Sequence, residues 1–229
     1  MLPEHTRVGR AKERFVDAGD PATTPPAATT LRIPADLSVR LGSAHAPVPA
    51  VGGLRHAAVV ALLLPDGSAR CDDPRLVLIE RAETLRAHAG QLAFPGGKPE
   101  PHDGSLAHTA LREAEEEVGL DRGATELIGR LDPVPTPTGF LIVPFVAWAP
   151  PGWLPRPTSP EVHQILTPTL SRLADPSIHR VAGVREWRGH RYEMHEFAIH
   201  DPPLWGATAR MVWDLLERLR GQSCRLSPS

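Results

Sequence analysis

The sequence predicts an α+β fold in which a mixed β-sheet is sandwiched between helices. Three observations predict it. Ala57–Leu64, AAVVALLL, is a continuous apolar, β-prone run of the kind a buried central strand requires. Further strand candidates lie on both sides of one strongly patterned helical stretch, Leu106–Val118. An amphipathic segment, LWGATARMVWDLLERLRG, closes the pattern, with Leu204, Ala207, Met211, Leu215 and Leu219 at near-helical spacing. Strands, then a helix, then strands, then a helix imply a sheet with helices packed against it.

The elements follow in order. Proline is frequent, with 26 residues among 229, and it clusters in DPATTPPAAT at 20–29. That stretch reads as a linker, because proline fixes φ and removes a backbone donor. Residues 1–50 are therefore expected to form a Pro-rich extension, loosely packed or partly disordered, ahead of a single domain at 51–229. Within the extension, ADLSVRLG reads as a short helix and SAHAPVPAVGG ends it. After the first strand, Pro65–Ser68 reads as a turn. Arg75–Arg81, RLVLIER, reads as a second strand, followed by a polar loop and the LAFPGG segment. TELIGRLDPV and FLIVPFVAW supply two more strands. TLSRLADP reads as a short helix stopped by Pro176. VREWRGHRYEMHEFAI reads as a hairpin turning near RGH. Gly221 is a stop for the last helix.

Bulk properties exclude several classes of partner. The net charge of −2 argues against nucleic acid. The longest apolar run, Ala57–Pro65, falls far short of a membrane span. Cys71 and Cys224 form neither a disulfide framework nor a metal spacing. The first residues lack the apolar core of a signal peptide. These features together predict a cytoplasmic protein.

The helix at Leu106–Val118 carries the chemical question. At about 100° per residue, with Glu113 at zero, Glu117 falls at roughly +40° and Glu116 at roughly −60°. Ala107, Ala110, Leu111, Ala114 and Val118 fall between roughly 60° and 160°. One stripe is thus apolar, and three carboxylates share the face beside it, while Glu115 points elsewhere. Asp103 or Ser105 is placed to cap the N-terminus, and Gly119 to take the left-handed C-terminal position. Arg112 stands four residues before Glu116 and is placed to pair with it. Three neighbouring carboxylates repel one another, in the half of the helix where the dipole also disfavours them. A divalent cation reverses that argument, because Mg²⁺ takes carboxylate oxygens. This face is expected on the solvent side.

The residues also carry a resemblance. REAEEEVGL, Arg112–Leu120, is similar to the second half of the Nudix box, R-E-U-x-E-E-x-G-U, with Ala114 and Leu120 at the apolar positions. The first half departs from strict register: Lys98 and Gly104 stand where the box has a glycine and a glutamate. One inserted residue restores Gly97 and brings Asp103 or Glu100 near the missing acid. That longer loop, read as Gly96, Gly97, Glu100, Asp103 and Ser105, resembles the coenzyme A diphosphatase-like branch of the Nudix hydrolases. So does the upstream run VLIERAETLRAHAGQLAFPGG, in which Arg81, Ala82, Arg86, Gly90, Phe94, Pro95, Gly96 and Gly97 fit the branch pattern. LWGATAR, Leu204–Arg210, is a third match. The resemblance covers about residues 50–220.

The resemblance implies a Nudix fold and hydrolysis of the diphosphate of coenzyme A or a derivative, giving 3′,5′-ADP and 4′-phosphopantetheine or its acyl form. It implies Mg²⁺ or Mn²⁺ held by Glu113 and Glu117, with Glu116 and the Gly97 carbonyl completing the shell. Arg112 orients Glu116. Arg81 and Arg86 suit phosphate, because a guanidinium fork binds it bidentately. Gly96, Gly97 and His88 complete the candidate substrate contacts. The general base stays open between a glutamate of the cluster and Glu161. A small-molecule partner is expected, with a homodimer left open. Two alternatives stand beside this one: a Nudix hydrolase for ADP-ribose or a nucleoside triphosphate, and a non-catalytic nucleotide-binding module. Without the motifs, Arg81 and Arg86 read as strand-end residues, His88 as a loop or core residue, and Trp205 and Met211 as core. His190, His195 and His200 show no metal spacing.

Overall fold

A computed structural model describes residues 33–48, 50–65, 72–84, 89–187 and 190–221. Arg86 and His88, and most of the turn expected at Pro65–Ser68, lie outside the described residues.

Two parallel strands form the centre. β1 (Arg55–Leu64) runs beside β8 (Phe140–Trp148), in register from Arg55 opposite Phe140 to Leu63 opposite Trp148. β2 (Arg75–Leu76) extends the sheet beyond β1, and β6 (Glu126–Arg130) beyond β8, both antiparallel. Two short strands also join it: β5 (Gly96–Gly97) on β1 and β7 (Val134–Pro135) on β8. A second sheet has the order β4 (Leu92–Ala93), β3 (Leu78–Arg81), β9 (Val162–Leu166). The run 75–81, expected as one strand, divides at Val77 between the two sheets. Its N–H donates to the Leu62 carbonyl, and the chain then leaves β1 to pair with β9. The short helix α3 (Leu170–Leu173) follows β9, and β10 (His179–Trp187) and β11 (His190–Phe197) form a separate hairpin, as expected.

Alternation along β1 explains the layers. Ala58, Val60, Leu62 and Leu64 face one core with Ala107, Ala110, Ala114 and Val118 of α2 (Leu106–Val118). Ala61 and Leu63 face the other, with Val212, Leu215 and Leu219 of α4 (Gly206–Arg220). The sheet is thus apolar on both faces and sandwiched between helices, which is why its central strand has no polar residue after His56.

Residues 33–48 differ from the expectation of loose packing. Ile33, Leu37 and Leu41 are buried in the α4-side core, Leu37 in the short helix α1 (Leu37–Arg40). Each such side chain contributes roughly 1.5–3 kcal/mol on burial. Arg40 Nη1 donates to the Arg218 and Leu219 carbonyls at the end of α4, and Gly42 exchanges both backbone hydrogen bonds with Arg130. Apolar spacing at 33, 37 and 41 outweighs the flanking prolines.

The hairpin is seated on α4 through a stack of rings. His179 and His195 lie 4.3 and 4.8 Å from the Trp213 ring, centroid to centroid. His179 Nε2 and His195 Nδ1 share a hydrogen bond of 3.0 Å. Burial, then Arg210 and His179, lower the His195 pKa to about 4, so it packs as a neutral ring. Met211 is core, as expected. Trp205 is instead 44% exposed, because it precedes α4 in an extended N-cap conformation rather than on the helix's apolar face.

Candidate active site

α2 is anchored at both ends. Ser105 Oγ accepts the His108 N–H at its start. Gly119 turns left-handed at its end, with φ 68°, and its N–H returns to the Glu115 carbonyl. The loop after β8 caps the remaining carbonyls: Trp153 Nε1 donates to Gly119, Arg156 N–H to Val118, and Thr158 to both Glu116 and Glu117. The orphan acceptors of the last turn are thereby satisfied inside the protein.

Arg112 gathers the acidic residues. Its Nε and Nη2 donate to the two oxygens of Asp103 at 3.0 and 3.2 Å. Nη2 also reaches Glu113 Oε1 at 3.0 Å and the Lys98 carbonyl at 3.2 Å, and Nη1 reaches Glu116 Oε1 at 3.1 Å. The Arg112 and Asp103 side chains are both buried. Asp103 also accepts from the Glu100 N–H and from Thr109 Oγ1. Arg112 and these bonds hold its carboxyl well below the usual range. The Arg112 guanidinium is thus engaged by Asp103, Glu113, Glu116 and the Lys98 carbonyl. Asp103, which sequence reading offers as a cap or loop acid, is the buried counter-ion that fixes it. The D-x-S spacing before α2 is the signal for it.

The glycine pair covers the next turn. Gly96 N–H donates to Glu117 Oε2 at 2.9 Å. The Glu113 carboxylate packs on the Gly97 Cα, where a side chain would overlap it. A side chain at Gly96 would overlap the Ala58 carbonyl of β1, and its φ of 151° is open only to glycine. Glycines are what allow the loop to lie between β1 and α2. Glu117 is consequently buried, not solvent-side as expected: its side chain is 6% exposed. Burial pushes its pKa up to about 7, against the opposing pull of Gly96 N–H and Arg81. Burial also raises Glu113.

Arg81 closes the cluster on the far side. Its guanidinium lies 3.9 Å from Glu117 Oε1 and 3.2 Å from Glu161 Oε2. Glu161, half exposed, thus joins the α2 carboxylates through one arginine. Glu115 points away and pairs with Arg122. Three residues beyond Glu161, Gln164 donates to the buried carboxylate of Glu80.

The structure brings Arg81, Gly96, Gly97, Arg112, Glu113, Glu116, Glu117 and Glu161 into one connected group. Among the described residues no three carboxylate, histidine or cysteine side chains converge on one metal-sized position. The glutamates are instead strung between Arg112, the Gly96 N–H and Arg81. The donor chemistry nevertheless suits a hard divalent cation: carboxylate oxygens beside a glycine backbone, with burial disfavouring the charge of Glu113 and Glu117.

Comparison with known proteins shows the family. The NUDIX domain family matches residues 54–192, which include β1, the glycine pair and α2. The chain is 35% identical to the uncharacterized Nudix hydrolase NudL of Photorhabdus laumondii over 166 residues, 72% of this chain and 86% of that protein. It is 38% identical to the protein of the same description from Salmonella paratyphi B over 156 residues, 68% of this chain and 79% of that one. Among solved structures, a NUDIX hydrolase from Alicyclobacillus acidocaldarius aligns over 78% of this chain and 100% of its own, with 18% identity and a TM-score of 0.45. The chain belongs to the Nudix hydrolase family, enzymes of diphosphatase type.

Proposed function

We propose that this Nudix hydrolase cleaves the diphosphate linkage of coenzyme A or a derivative, releasing 3′,5′-ADP and 4′-phosphopantetheine or its acyl form. The observation that carries this reading is the lengthened loop Gly97–Ser105. Its extra residue accompanies a buried Asp103 that fixes Arg112, and through it Glu113 and Glu116. Three residues of the branch pattern have a visible part in the fold. Asp103 is the counter-ion of Arg112, Ser105 caps α2, and Gly96 makes the close contact with β1.

Glu113, Glu116, Glu117 and the Gly97 carbonyl would hold Mg²⁺ or Mn²⁺, the ions Nudix hydrolases generally use. When bound, such an ion neutralises phosphate charge and lowers the pKa of a coordinated water. The protein's own part is orientation. Arg112 holds Glu113 and Glu116 in fixed rotamers, and the Gly96 N–H and Arg81 hold Glu117. Water adds its oxygen to one phosphorus, the bridging P–O bond breaks, and the departing phosphate carries the electron pair. A carboxylate takes the proton of that water. Glu116 and Glu161, the two most exposed carboxylates of the group, are the candidates. The pH–rate profiles of Glu116→Gln and Glu161→Gln separate them.

The test is a product assay with Mg²⁺ or Mn²⁺ on coenzyme A, acyl-coenzyme A, ADP-ribose and a nucleoside triphosphate. Coenzyme A or its acyl form is expected to give the highest kcat/KM, with activity lost on chelation and regained on adding the ion. Coenzyme A as the poorest substrate overturns the assignment.

A further inference from the structure

Two cations share one aromatic ring beside the carboxylate group. The Arg55 guanidinium carbon lies 4.4 Å from the Phe140 ring centroid, and Lys98 Nζ lies 5.7 Å from the same centroid. The backbone positions all three. Arg55 and Phe140 open β1 and β8 and are direct partners in the parallel pair, and the Arg55 N–H donates to the Gly139 carbonyl at 3.0 Å. Lys98 follows Gly97, and its carbonyl accepts Arg112 Nη2. The guanidinium that orients Glu113 and Glu116 therefore also fixes where the Lys98 side chain begins.

Arg81 and Arg112 are engaged by the site's own acids. Arg55 and Lys98 are not: among the described residues neither takes part in an ion pair. Both are exposed, and the turns beside them leave room, since a side chain at Gly53 or Gly139 would meet nothing within 4 Å. Arg55 precedes Ala58, the strand partner of Gly97, by three residues. At about 3.3 Å per residue this places it roughly 10 Å from the glycine pair. A ribose fits between a diphosphate at Gly97 and an anion at Arg55.

We propose that Arg55 and Lys98, seated on Phe140, bind a phosphomonoester on the nucleotide half of the substrate, a group that is recognised and not cleaved. This rests on the reading of the site as one that acts on a nucleotide diphosphate. A guanidinium grips phosphate oxygens bidentately, and an ammonium adds a point charge. The ring face limits the rotamers of both cations, which reduces the ordering lost on binding.

The experiment has two arms, each on wild type, Arg55→Gln, Lys98→Gln and the double variant. The first compares kcat/KM for coenzyme A and dephospho-coenzyme A. The second measures binding of 3′,5′-ADP and 5′-AMP by calorimetry, with no turnover required. The double variant is expected to lower the coenzyme A to dephospho-coenzyme A ratio at least about tenfold, and to weaken 3′,5′-ADP binding by a similar factor relative to 5′-AMP. Equal losses for both members of each pair overturn the subsite, as does a wild type that binds 3′,5′-ADP no more tightly than 5′-AMP. Failure of wild type to hydrolyse coenzyme A overturns the proposed substrate instead, and the binding arm still decides the subsite.

Discussion

Arg112 grips both carboxylate oxygens of Asp103, at 3.0 and 3.2 Å, and both side chains are buried. This pair joins the loop before α2 to the helix itself. Removing Asp103 takes away the buried counter-ion of Arg112 and leaves it only Glu113 and Glu116, and breaking a buried pair typically costs about 3–5 kcal/mol. Asp103→Ala is expected to lower Tm by roughly 6 °C or more, at about 2–4 °C per kcal/mol for a chain of this size. The depressed Asp103 pKa gives a sign as well. Its contribution is present above the ordinary carboxylate value and is lost as pH falls below it. Melting Asp103→Asn and wild type between pH 3 and pH 7 checks this. The gap between them narrows at the acid end if the assignment is right, and a constant gap contradicts it.

Glu117 combines burial with a proposed ligand role. Glu117→Gln keeps an oxygen for the Gly96 N–H and removes a charge that burial disfavours. Its Tm is expected to equal or exceed that of wild type. Its kcat is expected to fall at least about 100-fold, since a ligand carboxylate is lost. Near-wild-type turnover would refute the ligand role. A large drop in Tm would refute the account of its burial.

The two glycines separate folding from activity. At Gly96 an added Cβ overlaps the β1 backbone and the positive φ persists. Gly96→Ala should destabilise by about 3 kcal/mol or more, or fail to yield soluble protein. At Gly97 the overlap is with the end of the Glu113 side chain, not with backbone, and that side chain moves at the cost of its hydrogen bond from Arg112. Gly97→Ala should fold, with a smaller Tm change, and lose at least about tenfold in kcat because Glu113 is displaced. Thermal melts and steady-state kinetics on both variants check this, and the reverse order of effects excludes it.

His195 makes stability sensitive to mild acid. Its folded pKa of about 4 lies below its ordinary 6.5, so the unfolded chain binds the proton more readily. Stability is full above about pH 6.5 and falls as pH drops toward 4. The loss at pH 5 is on the order of 1–2 kcal/mol. His179, stacked beside it and also lowered by burial, acts in the same direction. Tm measured from pH 7.5 to pH 5 should fall less steeply for His195→Gln than for wild type. Parallel slopes rule out this source.

Local pattern made much of the architecture legible. A continuous apolar run marked β1, because a strand buried on both faces is apolar throughout, and residue pattern marked α2, α4 and the hairpin. Ser105 and Gly119 marked the ends of α2 for equally local reasons. The split of 75–81 at Val77 and the two-residue strands were not legible, because each depends on a partner distant in sequence. The same holds for Ile33, Leu37 and Leu41, whose burial needs the far end of α4.

By itself the sequence determined the family resemblance, the helix that carries the carboxylates, and which glutamates share its face. Helical geometry is a property of the segment alone, so spacing suffices. Only the tertiary structure decided that Glu117 is buried beneath Gly96, that Asp103 rather than Glu116 alone balances Arg112, and that Arg55 and Lys98 meet on Phe140. Each of these depends on which backbone lies over the helix or beside the strand. Desolvation and charge balance are set by neighbours in space, and residue spacing within one element carries no record of them.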